Sequence, residues 1–492
     1  MSDRLDAFAS AGEMLAALRA KRVSAVALLD LHMRRIERFN PELNAIVERD
    51  FERARHDAAA ADARRARGED APLLGLPMTL KESINVRGLR TTAGMPHWKD
   101  FRSEHDAPVT ARVKAAGAVV MGKTNVPPML ADWQSSNPVY GRTNNPWDHS
   151  RTPGGSTGGG AAALAAGLTP LEFGSDIGGS IRVPAAFCGV YGHRPSETAM
   201  PRSGQLPFPP LPNAALMMGV QGPMARSAVD LELALDVAAG PEVGEDVGWR
   251  LTIPPPRHQR LSEFRVAVLP SIDWMPLDAE IAAALDGLAS RLGRLVATVK
   301  TAQPAALADH REHYALYLSL LAAVTSARVP ADQRRERLAV MRTRDDEWSR
   351  ALQRGIESGA PDFIVWAAQR ERYRSAWREF FREWDVLLAP AFFVPAYPHW
   401  DRPFPNTPAS IAKTLDVNGK PALEELGLVY PSVATLAGQP ATAFPLGLTR
   451  GGLPIGLQAI GPYLEDRTLF GFTALVAQEV GGFGRPTGYD AA

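Results

Sequence analysis

The chain has 492 residues, 45% of them hydrophobic and 22% charged, enough to bury a large core as one big domain or about three ordinary ones. Its 54 Lys and Arg balance 54 Asp and Glu, so no global field exists to recruit nucleic acid, an anionic membrane or an acidic substrate. A single cysteine, Cys188, excludes an internal disulfide framework and a Cys-built zinc site; the opening MSDRLDAF lacks a signal-peptide pattern and no run of about 18 apolar residues occurs, so the expectation is a soluble cytoplasmic protein.

Residues 8–68 read as helices: Ser10 and Glu13 are spaced as a capping box, apolar residues recur through Leu28, Leu29, Met33 and Ile36, and Asn40-Pro41 is expected to stop the run. Arg64, Arg65 and Arg67, and likewise Arg334, Arg335 and Arg337, read as solvated helix faces. Strand-like text, LGLPMTL, leads into Lys81. From 152 to 192 the composition turns to glycine and small residues, yet AAALAAG and FCGVYG are apolar enough to be buried. Pro-rich text at 207–212 and 253–256 marks loops, and 275–380 is largely helical in period, with His310 and His313 expected in a surface role. ATAFPLGL, a turn at Arg450-Gly451-Gly452 and LPIGLQAIG read as a hairpin, followed by a closing helix from about 464 to 480. Strands separated by helices throughout predict an α/β fold, a sheet covered by helices on both faces.

GAVVMGKT, residues 117–124, spells the phosphate loop G-x-x-x-x-G-K-[ST]. Its interior is itself the strand, and Pro127-Pro128 leave no room for a helix starting at Lys123, so the expectation is that the match is one of spelling alone. GGSTG at 154–158 spells the nucleophile elbow G-x-S-x-G, which would make Ser156 a nucleophile and require an acid and a histidine downstream. His193, His258, His310, His313 and His399 follow, none in a turn-like context that recommends it. The run Asp176-Ile177-Gly178-Gly179-Ser180 offers something else. Two glycines allow a tight loop whose amides converge into an oxyanion-binding nest, with a serine beside the charge it would create.

PGGSTGGGAAALAAG (153–167) and GSDIGGSIRVPAAFCGVYG (174–192), in this order and 24 residues apart from serine to serine, resemble the signature of the amidase signature family of serine hydrolases. The likeness extends to GLPMTLKESINVRG (75–88), GAVVMGKTNVP, GPMARSAVDLELAL (222–235), WDVLLAP (384–390) and LAGQPATAFPLGL to GLPIGLQAIG (436–461); only about 240–380 is anonymous. The resemblance implies one amidase signature domain over 1–492, an α/β/α sandwich with a large mixed sheet, a helical N-terminal region 1–70 and a variable, largely helical region at about 240–400. It implies a Ser-Ser-Lys triad: Ser180 the nucleophile, Ser156 the bridging serine after a cis bond to Gly155, and Lys81 the base. The amides of Ile177, Gly178, Gly179 and Ser180 would form the oxyanion hole, while Leu130, Asp132 and Gly155 would line the acyl site. Thr157, Gly160, Ser175, His193 and Asp132 depart from the commonest family residues without removing a triad member.

A free lysine titrates near 10.4 and is useless as a base at neutral pH, but burial lowers it by as much as about 3–5 units. Strand text before Lys81 would bury it, and Glu82 should point to the opposite side. The expected activity is hydrolysis of an aryl or alkyl amide through an acyl-enzyme, with no cofactor, no metal, no nucleic acid and no membrane, a homodimer being left open. Esterase or carbamate hydrolysis, the glutamine-hydrolysing component of a tRNA-dependent amidotransferase, and an inactive scaffold are the rivals. Pocket walls are expected around 130–136, 205–218 and 310–325, from Trp133, Phe208, Leu216, Met217 and Tyr317.

Overall fold

The structure, a computed structural model, describes residues 5–207 and 217–490. Ser10 caps the helix Ala11–Arg19 with the expected reciprocal bonds: Glu13 N donates to Ser10 Oγ at 3.1 Å and Ser10 N to Glu13 Oε2 at 2.7 Å. The next helix, Ala25–Leu43, does not stop at Asn40-Pro41 but carries Pro41 within its last turn, where its missing N–H costs a single bond. Asn40 then redirects the chain. Its side chain accepts from Ala45 N (2.9 Å) and Ile46 N (2.8 Å) and donates to Ile46 O (2.9 Å), which starts a strand, Ile46–Arg49. That strand corrects the all-helical reading of 8–68; four residues between two helices carry too short a pattern to read.

An eleven-stranded mixed sheet organises the described chain. At one end Ile46–Arg49 pairs antiparallel with Val119–Thr124, which runs parallel to Pro77–Lys81, itself parallel to Leu171–Asp176. Antiparallel strands follow: Val220–Ala225, Tyr191–Arg194, Ala441–Leu448 and Pro454–Ile460, the last two forming the expected hairpin. The far end is Val386–Pro390, Arg265–Val268 and Thr298–Thr301, mutually parallel. Thr298–Thr301 interrupts the stretch read as helical over 275–380.

Alternation along Val386–Pro390 shows how the sheet divides the interior. Val386 and Leu388 join one core, with the helices Ala11–Arg19, Ala25–Leu43, Ala228–Ala238, Ala279–Leu292 and Asp466–Val480. Leu387 and Ala389 join another, with His310–Ser326, Glu347–Glu357, Ala360–Glu383 and Val429–Thr435. The sheet is thus covered by helices on both faces. A smaller core joins Gly158–Ala165 to Arg182–Cys188, the two helices that follow the two serine segments, and buries Cys188. Among the described residues no helix is long and apolar enough to cross a membrane.

Asn40→Ala removes three buried bonds at the helix-to-strand corner; we expect a loss of about 2 kcal/mol in urea unfolding, with the secondary structure unchanged.

Candidate active site

Parallel neighbours place the key residues at one edge of the sheet. Lys81 ends the strand Pro77–Lys81, Ser175 and Asp176 end the adjacent Leu171–Asp176, and the loop after it carries Ser180 into the helix Arg182–Cys188. Ser156 approaches from the other side, after a cis Gly155–Ser156 peptide and just before the helix Gly158–Ala165. Its backbone neighbour Thr157 donates N–H to Ser180 O at 3.1 Å. Gly155 is required by close approach: a Cβ there would collide with Asp132 O.

Lys81 is fully buried, its Nζ 2.7 Å from Ser156 Oγ, 3.0 Å from Ser175 Oγ and 3.5 Å from Ser175 O. Burial lowers its pKa to about 7, against the opposing pull of Asp176 and Glu172. Neither acid is free to keep Lys81 protonated. Burial lifts Glu172 to about 8, although Thr79 and Thr124 donate to it. Burial also works against the Asp176 carboxylate, but Arg182 and Arg194 hold it well below the usual range. Glu82 lies elsewhere, accepting from the amides of Thr92 and Ala93 and from Tyr140 Oη.

Exposure separates the two serines. Ser180 is 8% exposed and its Oγ has no partner among the described residues, whereas Ser156 is 1% exposed and bound to the lysine. Around Ser180 the loop is anchored by Asp176. Its Oδ1 accepts from Gly179 N (3.0 Å) and Arg182 Nη2 (2.9 Å), its Oδ2 from Ile181 N (3.1 Å) and Arg182 Nε (3.1 Å). Of the four amides expected to converge, Gly179's is therefore committed to Asp176. Those of Ile177, Gly178 and Ser180 have no acceptor among the described residues.

The remaining sequence-predicted residues lie as follows. Leu130, half-buried at the end of a short turn, Pro128–Leu130, has a left-handed φ of 62°. The Asp132 carboxylate pairs with Arg402 Nη1 at 3.0 Å, and the same nitrogen meets Glu424 Oε2 at 3.2 Å. Lys123 is buried on the strand Val119–Thr124, donating to Arg90 O and to Thr91 Oγ1 (2.7 Å), so the phosphate-loop spelling belongs to a sheet strand. His193 sits between Thr442 Oγ1 (2.8 Å) and Asp466 Oδ1 (3.0 Å), while His258 meets Asp385 and His310 meets Gln303. No histidine bonds to Ser156 or Ser180 among the described residues, which leaves the elbow spelling without its third member. His313 is buried against the Tyr373 ring, and burial pushes it down to about 3; the surface role expected for it is wrong. Phe208 and Leu216 lie outside the described residues. No group of three metal-ligating side chains occurs among those described.

Sequence reasoning did not single out Ser175 as a second hydroxyl on Lys81, Glu172 beside it, or the arginines that hold Asp176. Gly160 has a physical account here: a Cβ at that position would lie 2.7 Å from Glu172 Cγ. Trp133 and Tyr317, expected as pocket walls, also bond to the serine loop. Trp133 Nε1 donates to Gly178 O (3.2 Å) and Tyr317 Oη to Ile177 O (2.8 Å).

The architecture is one that solved structures share. A bacterial aryl acylamidase of the amidase signature enzymes shares the fold with a TM-score of 0.81 at 23% identity, over 96% of this chain and 96% of its own. The amidase family model matches residues 27–470, and the chain belongs to that family, the amidase signature enzymes. Among curated relatives, a glutamyl-tRNA(Gln) amidotransferase component from Psychrobacter sp. (strain PRwf-1) is 30% identical, covering 96% of this chain and 95% of its own length. The indoleacetamide hydrolase of Bradyrhizobium diazoefficiens is 32% identical, covering 94% and 84% respectively.

Removing one side of a buried ion pair leaves an uncompensated charge. Asp176→Ala, which strands Arg182 and frees the loop, should cost about 3–5 kcal/mol in urea unfolding.

Proposed function

We propose that the chain is an amidase that hydrolyses the C–N bond of an aryl or alkyl carboxylic amide through an acyl-enzyme on Ser180. The observation that carries this is the fully buried Lys81, 2.7 Å from Ser156 Oγ, beside a loop with three free amides. A lysine lowered to about 7 is neutral in half its copies near neutral pH and can accept a proton. Neutral Lys81 takes the proton of Ser156 as Ser156 takes that of Ser180. Ser180 Oγ attacks the carbonyl carbon, and the amides of Ile177, Gly178 and Ser180 receive the oxyanion. As the C–N bond breaks, Ser156 returns a proton to the departing amine. Water, deprotonated along the same route, then attacks the ester and releases the acid.

The surroundings support an apolar substrate. Leu428 lies against Gly178, and the partly buried Ile177, Met217 and Leu428 pack on the same core as Trp133 and Tyr317. Such a wall suits an aryl or alkyl group better than the charged α-ammonium and α-carboxylate of glutamine, which the amidotransferase relatives bring forward as the second reading. Esters and carbamates would follow the same acyl-enzyme route.

Turnover of a panel of anilides, aliphatic amides, esters, carbamates and glutamine tests the proposal. Ser180→Ala should leave no activity above background, and Lys81→Ala should lose about 10²–10⁴-fold, both with the fold intact. Activity retained by Ser180→Ala, or glutamine as the sole substrate turned over, would sink it.

The pH dependence has a definite sign. Because the reactive form of Lys81 is the deprotonated one, kcat/KM should rise with pH through about 7 and level off above it. A profile that falls through this range would contradict a lysine base.

A further inference from the structure

Each carbonyl from Asp176 to Ser180 accepts a hydrogen bond. Arg194 Nη1 donates to Asp176 O (3.1 Å), Tyr317 Oη to Ile177 O (2.8 Å) and Trp133 Nε1 to Gly178 O (3.2 Å). Val183 N donates to Gly179 O (2.7 Å) and Thr157 N to Ser180 O (3.1 Å). In a planar trans peptide, C=O and the following N–H point in opposite directions. Fixing a carbonyl therefore aims the next amide the other way. Bonds to Asp176 O, Ile177 O and Gly179 O aim the amides of Ile177, Gly178 and Ser180; the bond to Gly178 O aims that of Gly179 at Asp176 Oδ1.

Two of these donors are side chains from outside the serine segments. Tyr317 belongs to the helix His310–Ser326, within the anonymous stretch of the sequence, and is fully buried. Trp133 is buried in the segment that packs beneath Gly155. Each spends its one polar donor on the loop.

We infer that Tyr317 and Trp133 are positioning residues for the oxyanion hole: Tyr317 clamps the Ile177 carbonyl so that the free Gly178 amide faces the reacting carbonyl, and Trp133, through the Gly178 carbonyl, keeps the Gly179 amide on Asp176 and so fixes the loop next to it. The inference rests on the proposed acyl-enzyme chemistry. Two glycines in sequence leave the peptide plane between Gly178 and Gly179 free to flip unless a bond outside the loop holds it, and Trp133 supplies that bond. Burial keeps the Tyr317 phenol above its ordinary pKa, so it remains a donor throughout the working pH range.

The test uses a fluorophosphonate, whose reaction at a serine places developing negative charge where the amides point. Saturation kinetics of labelling separate kinact from KI, and peptide mapping identifies the labelled residue. Tyr317→Phe should lower kinact on the order of 10-fold, less than deleting a donor outright, with KI and Tm little changed; Trp133→Phe should act in the same direction. Tyr314→Phe is the control, because Tyr314 on the same helix makes an equivalent buried bond to Glu425 O (2.7 Å), away from the loop. It should leave kinact within about twofold of the unaltered chain. Labelling by Tyr317→Phe at the unaltered rate, or equal slowing by Tyr314→Phe, overturns the clamp while leaving the hydrolase chemistry standing. No labelling of Ser180 in the unaltered chain overturns both.

Discussion

A single amine taken out of water governs the design of this site. Lys81 is enclosed at the end of a central strand, and among the described residues it forms no ion pair, only contacts with the hydroxyls of Ser156 and Ser175 and a carbonyl. Its two acidic neighbours are managed differently. Asp176 stays ionised but is spent on two arginines and the loop amides, whereas Glu172 is pushed toward its neutral form by its own burial. The local charges are balanced so that desolvation wins at the lysine.

The sheet makes this possible. Lys81 and Ser175 meet because Pro77–Lys81 and Leu171–Asp176 are parallel neighbours that finish at the same edge. Sites in parallel sheets lie at the carboxyl ends of strands for this reason: each strand ends in a loop leading to a helix, and neighbouring loops converge. Antiparallel strands then carry the sheet away to the hairpin Ala441–Leu448 and Pro454–Ile460.

What the sequence announced was local. The capping box at Ser10, the strand into Lys81, the hairpin and the two serine-glycine segments all lie in windows short enough for composition and spacing to specify. What it hid was long-range. Asp132 finds Arg402 across 270 residues, and Tyr317 finds Ile177 across 140, contacts that depend on sheet order and helix placement. The strands Ile46–Arg49 and Thr298–Thr301 were illegible because four residues among helices show no period. His313 misled because a polar letter on a helix reads as exposed, while here it is buried with the Tyr373 ring packed against it.

The helix His310–Ser326 comes from a stretch in which the sequence alone offered no recognisable motif, yet its tyrosine bonds to the backbone of the serine-glycine segment. Under the proposed chemistry, any rebuilding of this helix would also disturb the loop whose amides are to receive the oxyanion. Substrate range and turnover would then be mechanically linked, so that one could not be altered without re-selecting the other.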